Sequence, residues 1–304
     1  MQLGCQSWSF RELRKGAPWD NEIKKIANLG FKGLELILCT PEEVKDYWTP
    51  ANIKKVKDLY TSLGLTLTQY AMFQPAVGNL VSLDKKEREK SLDVYKQGCD
   101  IAVGLGTELV NFVSPWPIGM QAPIPYVPRY YYVDSIGGEP KFKMELPKGF
   151  NWEELWNTYV ATMKECACIA RERGLKLAVE GHIHVMMPHT DSFLRLADQV
   201  NDDAFGYCMD IGWQALQREF IPMSIHKVKG KLLSMHLRDI DGFGMNFVCP
   251  GLGSLDWDGI MGALKDTGFD GYFCLEFSEY PMEYRETLAK FVIEYFTPIL
   301  AKYQ

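Results

Sequence analysis

One strand–helix–strand unit is visible in residues 176–211, KLAVEGHIHVMMPHTDSFLRLADQVNDDAFGYCMDI. The runs KLAVEG at its start and FGYCMDI at its end are apolar nearly throughout, as is typical of strands buried on both faces. The segment between them predicts a helix over 191–200, with Thr190 or Asp191 as the expected N-cap. Because neighbouring parallel strands need a long crossover, this order predicts a parallel sheet.

The same alternation extends along the whole chain. Eight apolar runs predict strands, at 3–10, 33–39, 65–73, 108–113, 176–181, 205–211, 232–240 and 272–278. Helical patterns fall between them, at 20–29, 50–63, 85–104, 151–173, 191–200, 256–267 and 283–302. The stretch 214–229 stays unassigned, because Pro222 interrupts it. Eight such units close naturally, so we expect an α/β fold with a single (β/α)8 TIM barrel over residues 1–304. A doubly wound open sheet is the alternative, but it normally carries Gly-x-Gly-x-x-Gly after the first strand, and the first run here leads into SWSFRELRKG.

One connection is too long for an ordinary strand-to-helix loop. Residues 114–150, after the predicted strand four, are rich in proline, tyrosine and glycine. In a barrel this insertion lies at the C-terminal rim, where substrates bind. It is either a rigid decoration or oligomer contact, or a wall that covers a flat apolar substrate group. The side chains for such a wall are Trp116, Pro123, Tyr126, Tyr130, Tyr131 and Tyr132.

Composition excludes several classes of protein. Apolar residues make up 47% and charged residues 24%, which is ordinary for a soluble globular protein. Lys plus Arg number 33 against 39 Asp plus Glu, and a net charge of −6 gives no global attraction for nucleic acid. The sequence contains no run of about 18 apolar residues, so no membrane span is predicted. The N-terminus has no signal-peptide pattern. The eight cysteines form no Cys-x-x-Cys pair, so we expect reduced thiols in a cytoplasmic protein.

Four ionisable residues lie at or near the C-terminal ends of the last four predicted strands. They are Glu180, Asp210, His236 and Glu276. Barrel enzymes place their chemistry at these strand ends, and a carboxylate in an apolar run is costly unless it is paired or bound to a metal. Three carboxylates and one imidazole suit Mn²⁺, Mg²⁺ or Co²⁺, with Zn²⁺ also accommodated. We therefore expect one divalent metal, with Mn²⁺ as the first choice.

Six short motifs relate the chain to a known group of enzymes. They are GFKGLEL (30–36), LAVEGH (177–182), MDIGW (209–213), HLRD (236–239), GLGSLDWDGI (251–260) and GFDGYFCLEF (268–277). With these motifs the chain resembles the xylose-isomerase-like TIM-barrel superfamily of sugar isomerases and epimerases. The resemblance implies that Glu180, Asp210, His236 and Glu276 ligate one metal, and that Glu180 and Glu276 also shuttle protons at the substrate carbon. Trp213 departs from the pattern, because many relatives have a histidine there, and this weakens any case for a second metal.

This ligand set favours enolisation of a keto sugar. A metal on the carbonyl and a neighbouring hydroxyl acidifies the adjacent C–H bond, and a carboxylate removes the proton. Return of the proton on the opposite face gives epimerisation, return to the next carbon gives isomerisation, and loss of a β substituent makes the enzyme a lyase. For the lyase outcome, the chain resembles catalytic subunits of C-glycoside deglycosidases, which cleave 3-keto sugars from aromatic aglycones, and dehydratases of keto-inositol and dehydroshikimate.

Further residues are expected around the metal. His182, two residues past Glu180, is a candidate to hold a substrate hydroxyl or act as a base, whereas His189 is assigned no role. Arg238 is expected to bind a substrate oxygen or pair with a ligating carboxylate. Glu35 orients a metal ligand, hydrogen-bonds the sugar, or stabilises a loop at the rim of the barrel. Aromatic side chains at the mouth, such as Trp8 and Trp116, either stack on a sugar or fill the rim.

Two other function classes fit less well. A DNA-repair endonuclease on this barrel needs more metal-binding histidines and a basic groove, and the chain has five histidines and a charge of −6. A non-catalytic binding module ranks last, because it leaves the buried carboxylates without a metal. The expected partner is a small carbohydrate, with no nucleic acid or membrane. We also expect a homo-oligomer or a complex with a partner subunit.

Overall fold

The computed structural model describes residues 1–12, 15–117, 146–242, 246–277 and 280–303. Eight parallel strands form a closed barrel, and helices lie between successive strands. The strands in chain order are β1 Gln2–Gln6, β2 Gly33–Leu38, β3 Thr66–Met72, β4 Leu109–Val113, β5 Lys176–Glu180, β6 Phe205–Asp210, β7 Leu232–Leu237, β8 Asp239–Ile240, β9 Phe247–Val248 and β10 Tyr272–Leu275. The barrel consists of β1 to β7 and β10, and β1 closes it by pairing with both β2 and β10. The predicted (β/α)8 barrel is confirmed.

The helices surround the barrel in the expected order. They are α1 Asp20–Leu29, α2 Glu43–Asp46, α3 Pro50–Ser62, α4 Gln74–Val77, α5 Lys85–Leu105, α6 Trp152–Glu172, α7 Thr190–Val200, α8 Ile211–Leu216, α9 Ile221–Lys227, α10 Trp257–Thr267 and α11 Met282–Lys302. The seven helices predicted from the sequence are all present, with bounds that differ by at most one residue. None of these described helices is both long and apolar enough to cross a bilayer.

Local sequence explains where the long helices begin and end. Side-chain oxygens of Thr49, Asp84, Asn151 and Asp256 accept hydrogen bonds from backbone N–H groups of the first turn that follows each of them. At the other end, Gly30 terminates α1 with a φ of 103°, a left-handed conformation that favours glycine. These caps fix the phase of each helix, and hence the face that packs on the barrel.

One local prediction about helices was wrong, and one stretch without a prediction is helical. The N-cap of α7 is His189, whose ring nitrogen accepts from the Ser192 N–H at 3.2 Å, so neither Thr190 nor Asp191 performs that role. The unassigned stretch 214–229 contains the end of α8 and all of α9. Pro222 lies in the first turn of α9, where its missing N–H costs nothing, so it helps to start a helix instead of only interrupting one.

Three of the predicted strands were too long, and one of them is the run 272–278, which is a strand only to Leu275. The run 3–10 is a strand only to Gln6, and a 3₁₀ turn, Ser7–Phe10, follows it. The run 232–240 leaves the barrel after Leu237, and Asp239–Ile240 pairs antiparallel with Phe247–Val248. The change of direction occurs where the buried Asp239 carboxylate collects its hydrogen bonds.

Four donors converge on the Asp239 carboxylate. It accepts from the backbone N–H groups of Ile240, Gly251 and Leu255 and from the Trp257 indole N–H, at 2.8 to 3.2 Å. A side-chain carbon at Gly253 would overlap Asp239 Oδ1. The glycines of the GLGS turn therefore pack around this carboxylate.

We expect Asp239→Ala to lower the free energy of unfolding by about 3 kcal/mol, because the substitution leaves buried N–H donors without an acceptor. Asp239→Asn keeps one acceptor oxygen and is expected to cost less. Urea unfolding followed by circular dichroism measures both. Asp266→Ala, at an exposed position on α10, is the matched control and should stay within about 0.5 kcal/mol of the parent. Equal stabilities for Asp239→Ala and Asp266→Ala would contradict this role.

The insertion begins and ends within the described residues, at 114–117 and 146–150. The wall predicted for Pro123, Tyr126, Tyr130, Tyr131 and Tyr132 lies outside the described residues. That part of the insertion therefore stays a prediction. Trp116 is described, and it lies beside the strand-end residues considered next.

Candidate active site

The strand register brings the four candidate metal ligands to one end of the barrel. Glu180 ends β5, Asp210 ends β6, His236 is near the end of β7, and Glu276 directly follows β10. Asp210 is the register partner of His236, so the two side chains lie on adjacent strands at the same height. All four therefore meet at the C-terminal mouth, where the sequence places them.

The His236 ring lies at the centre of this cluster. Its Nδ1 is 3.3 Å from Glu180 Oε2 and 3.7 Å from Glu276 Oε2. The side chains of the four residues are between 0% and 13% exposed, with Asp210 the most buried and Glu276 the most open. This arrangement leaves Glu276 nearest to the entrance and Asp210 against the wall.

Arg238 connects two of the carboxylates. Its Nε lies 3.0 Å from Asp210 Oδ2, and its Nη2 forms an ion pair with Glu276 Oε1. The other oxygen of Asp210 accepts from the Trp213 backbone N–H at 2.9 Å. The guanidinium also lies over the Phe247 ring, 4.7 Å from its centroid. Arg238 thus fixes the orientation of two carboxylates and supplies the permanent positive charge among them.

His182 forms the second polar contact of Glu180. Its Nε2 lies 3.1 Å from Glu180 Oε1, so the imidazole donates a hydrogen bond to the carboxylate. The ring centroid of Trp213 is 4.2 Å away on one side, and Trp116 makes an edge contact at 5.9 Å. The indole of Trp213 therefore packs against the His182 ring.

The pKa values of the cluster follow from burial and from the neighbouring charges. Burial alone would raise the pKa of Glu180, but His236 and His182 together lower it below its ordinary value. Burial raises the pKa of Asp210 to about 6 although Arg238 opposes it. Burial opposes charging of His236, yet Cys208, Glu180 and other neighbours hold its pKa well above the ordinary value. Glu180 is therefore ionised at neutral pH.

The donor set fits a divalent cation. Ligand atoms of Asp210, His236 and Glu276 lie within 4.8 Å of one another, and so do those of Glu180, His182 and Asp210. His236 Nδ1 is buried and has no hydrogen-bond partner among the residues that the structure describes, although it faces carboxylate oxygens. A cation between these atoms would satisfy this nitrogen and offset the excess of carboxylates over Arg238.

The remaining predicted residues occupy different depths. Glu35 is fully buried beneath the mouth, with Oε2 3.2 Å from His236 Nε2. Trp8 lies in the turn after β1 and is 7% exposed, whereas Trp116 is half-buried at the edge of His182. Only Trp116 of these three directly contacts a residue at the open side of the cluster.

Sequence reasoning missed two residues that contact His236. Gln69 Nε2 lies 3.1 Å from His236 Nε2, and Cys208 Sγ lies 3.7 Å from the same nitrogen. A signal for each was present, since Gln69 is a polar residue inside the apolar run 65–73, and Cys208 is two residues before Asp210 and so points to the same side of its strand.

Comparisons with known proteins identify the family of this barrel. An inosose dehydratase of Clostridium perfringens (strain ATCC 13124) is 23% identical over 309 residues, covering 93% of this chain and 92% of that protein. The crystal structure of D-psicose 3-epimerase from Clostridium cellulolyticum H10 superposes with a TM-score of 0.77 at 19% identity and covers 99% of both chains. The structure of the IOLI protein with a bound zinc atom gives a TM-score of 0.69 at 20% identity and covers 98% of this chain and 100% of that one. The family profile described as xylose isomerase-like TIM barrel matches residues 23–297, and the chain belongs to this family.

Proposed function

We propose that the protein is a divalent-metal-dependent enzyme that removes a proton next to the carbonyl of a keto sugar and returns it to form an epimer or isomer. The observation that carries this proposal is the position of Glu180 and Glu276. Their carboxylates face the same ring nitrogen of His236, at 3.3 and 3.7 Å, and both lie at the mouth of the barrel. Two carboxylates around one reaction centre suit proton removal by one and proton return by the other.

The cation would be held by Glu180, Asp210, His236 and Glu276. When bound, it supplies Lewis-acid polarisation of the substrate carbonyl, which acidifies the neighbouring C–H bond. We favour Mn²⁺, because three of the four ligands are hard oxygen donors and one is an imidazole. The zinc bound in a solved protein of the same fold supports a divalent ion of this kind.

Protein side chains transfer the protons and bind the substrate. Glu180 is ionised at neutral pH, so one of its oxygens accepts the proton from the substrate carbon. Glu276, which must enter this step protonated, delivers that proton either to the opposite face of that carbon or to its neighbour, while Arg238 holds its other oxygen in place. Exchange with solvent then removes the proton from Glu180 and restores the one on Glu276, which closes the cycle. His182 donates to Glu180 and lies where it can hold a substrate hydroxyl. Trp116 and Trp8 border the sugar.

A lyase outcome is the second candidate, and the curated relatives favour it. The alignment with the inosose dehydratase of Clostridium perfringens covers 93% of this chain at 23% identity. Loss of water from a keto-cyclitol is therefore a chemically close alternative. Cleavage of 3-keto-glycosides with aromatic aglycones uses the same enolisation. In either lyase reaction, His182 would protonate the leaving oxygen or carbon while Glu180 takes the proton from the substrate.

The cysteines and the exposed apolar side chains bear on the proposed compartment and oligomeric state. All eight cysteines are free, and seven of them are buried, which supports a reducing cytoplasm. Leu146 and Trp152, on the C-terminal side of the insertion, are 63% and 41% exposed apolar side chains. They support a homo-oligomer or a complex with a partner subunit, and light scattering of the purified protein tests this assembly.

Proton exchange tests the proposed reaction. We expect the Mn²⁺-loaded protein in D₂O to exchange a C–H hydrogen of at least one member of a keto-sugar panel: D-psicose, D-tagatose, D-fructose, an inosose and a 3-keto-glucoside with an aromatic group. NMR follows both the exchange and the product. A new sugar supports the epimerase or isomerase, and release of water or aglycone supports the lyase. Myo-inositol, which lacks a carbonyl, is the control. Exchange of none of these compounds by metal-loaded protein would contradict the substrate class.

A further inference from the structure

The second ring nitrogen of His236 has its own set of partners. Nδ1 faces Glu180 and Glu276, whereas Nε2 faces Glu35, with a distance of 3.2 Å to Oε2. Gln69 Nε2 at 3.1 Å and Cys208 Sγ at 3.7 Å contact the same nitrogen. The ring therefore lies between the proposed metal site at the mouth and a second, buried group of polar side chains: Glu35, Gln69 and Cys208.

Glu35 is well placed for an electrostatic role on this ring. Its side chain is 1% exposed, and it lies on β2 in register with Gln6 on β1 and Gln69 on β3. Its polar contacts among the described residues are the ion pair with His236 and a weak hydrogen bond from the Cys274 thiol. A buried carboxylate is costly without such a partner. Because the His236 ring lies between Glu35 and the mouth, Glu35 is not placed to touch a sugar.

Only a neutral His236 ring can bind a metal, and the neutral ring has two tautomers in competition. If Nε2 carries the hydrogen, it donates to Glu35, and the Nδ1 lone pair faces the two glutamates of the metal site. If Nδ1 carries the hydrogen, Nε2 accepts from the Gln69 amide, and Nδ1–H points at Glu180 and blocks metal ligation. The negative charge of Glu35 favours the first state, and the Gln69 amide accommodates it by presenting its oxygen instead of its nitrogen.

We propose that Glu35 is a positioning residue that holds His236 as the Nε2–H tautomer and thereby prepares Nδ1 to bind the metal. This inference rests on the proposed function, because it assigns a partner to one of its metal ligands. Carboxylates behind metal-bound histidines orient the ring and raise its basicity, and their loss typically lowers metal affinity 10- to 100-fold. Glu35→Gln removes the charge while it keeps the shape.

Titration calorimetry with Zn²⁺ measures the effect directly. We expect Glu35→Gln to weaken Zn²⁺ binding by about 10- to 100-fold, whereas Glu35→Asp, which keeps the charge, loses less. Asp266→Asn, on the exposed face of α10, changes the net charge by the same amount and should bind as the parent does. Absence of Zn²⁺ binding by the parent protein would contradict the proposed function itself. Normal binding by the parent and equal binding by Glu35→Gln would overturn only the role of Glu35.

NMR of ¹⁵N-histidine protein loaded with Zn²⁺ gives a second readout, which does not depend on the metal affinity. We expect the His236 signals, assigned by their loss in His236→Asn, to report a metal-bound Nδ1 and a protonated Nε2 with a downfield proton. The Glu35→Gln protein should shift that proton upfield. A metal-bound Nε2 in the parent, or an Nε2 proton unaffected by Glu35→Gln, would overturn the proposal even if metal affinity changed.

Discussion

Replacing Glu180 by glutamine is expected to lower turnover of the keto-sugar substrate by about 10³-fold or more. Glutamine has nearly the same shape, but it carries no charge and accepts no proton at the reacting carbon. The substitution also removes one ligand charge from the proposed metal site, and it replaces one of the two oxygens that face His182 and His236 by an NH2 group. Initial rates with the identified substrate, at saturating Mn²⁺, measure the loss, and the metal content of each preparation is measured alongside.

The comparison with Glu276→Gln separates the two carboxylates. If each serves one face of the carbon, Glu180→Gln suppresses exchange more strongly from one epimer and Glu276→Gln more strongly from the other. Glu165→Gln, an exposed change on α6, is the control and should turn over as the parent does. Equal suppression of both epimers by both variants would reduce the two glutamates to metal ligands. Parental activity in Glu180→Gln would show that the proton-transfer assignment is wrong.

The barrel was predictable because the sequence signals for its strands and helices lie within each element or next to it. Each buried strand is a short apolar run, and each helix carries its own cap and terminator, such as Asp256 before α10 and Gly268 after it. The prediction for the run 232–240 failed because residues further along the chain end the strand. The run 232–240 is apolar enough for one long strand, but Asp239 collects donors from Gly251, Leu255 and Trp257 and thereby ends it.

The candidate site divides in the same way. Glu180, Asp210, His236 and Glu276 are recognisable in sequence because charged residues interrupt or end apolar strands. Contacts across the barrel are a different matter. Gln69 is more than 160 positions from His236 along the chain, and only closure of the barrel places its amide 3.1 Å from the ring. Which ring nitrogen faces the mouth is likewise a property of the side-chain rotamer, which no sequence pattern encodes.

The balance of charge favours a cation at the proposed metal site. Glu35, Glu180, Asp210 and Glu276 are gathered around His236, and the permanent positive charge among them is that of Arg238. Burial is the main cause of the raised pKa of Asp210, and repulsion by the Glu180 and Glu276 carboxylates raises it further. A divalent ion offsets the excess, so binding and folding should be linked.

We therefore expect removal of divalent metal to abolish C–H exchange and to lower the melting temperature. A ligand at about 100 times its Kd stabilises a folded protein by about 2.7 kcal/mol, so differential scanning fluorimetry with and without Mn²⁺ should resolve the shift. Adding Mn²⁺ back to the chelated protein should restore both properties.

Asp210→Asn is the informative control for this experiment. Asparagine keeps the oxygen that caps the Trp213 N–H, but it removes a charge and a ligand from the proposed site. The variant should therefore fold, yet its melting temperature should respond little to Mn²⁺. A parent protein that exchanges protons after exhaustive chelation, and melts at the same temperature with and without Mn²⁺, would mean that Arg238 alone balances the cluster. Proton abstraction would then have to rely on that guanidinium to stabilise the enolate, and Arg238→Lys would become the variant that abolishes activity.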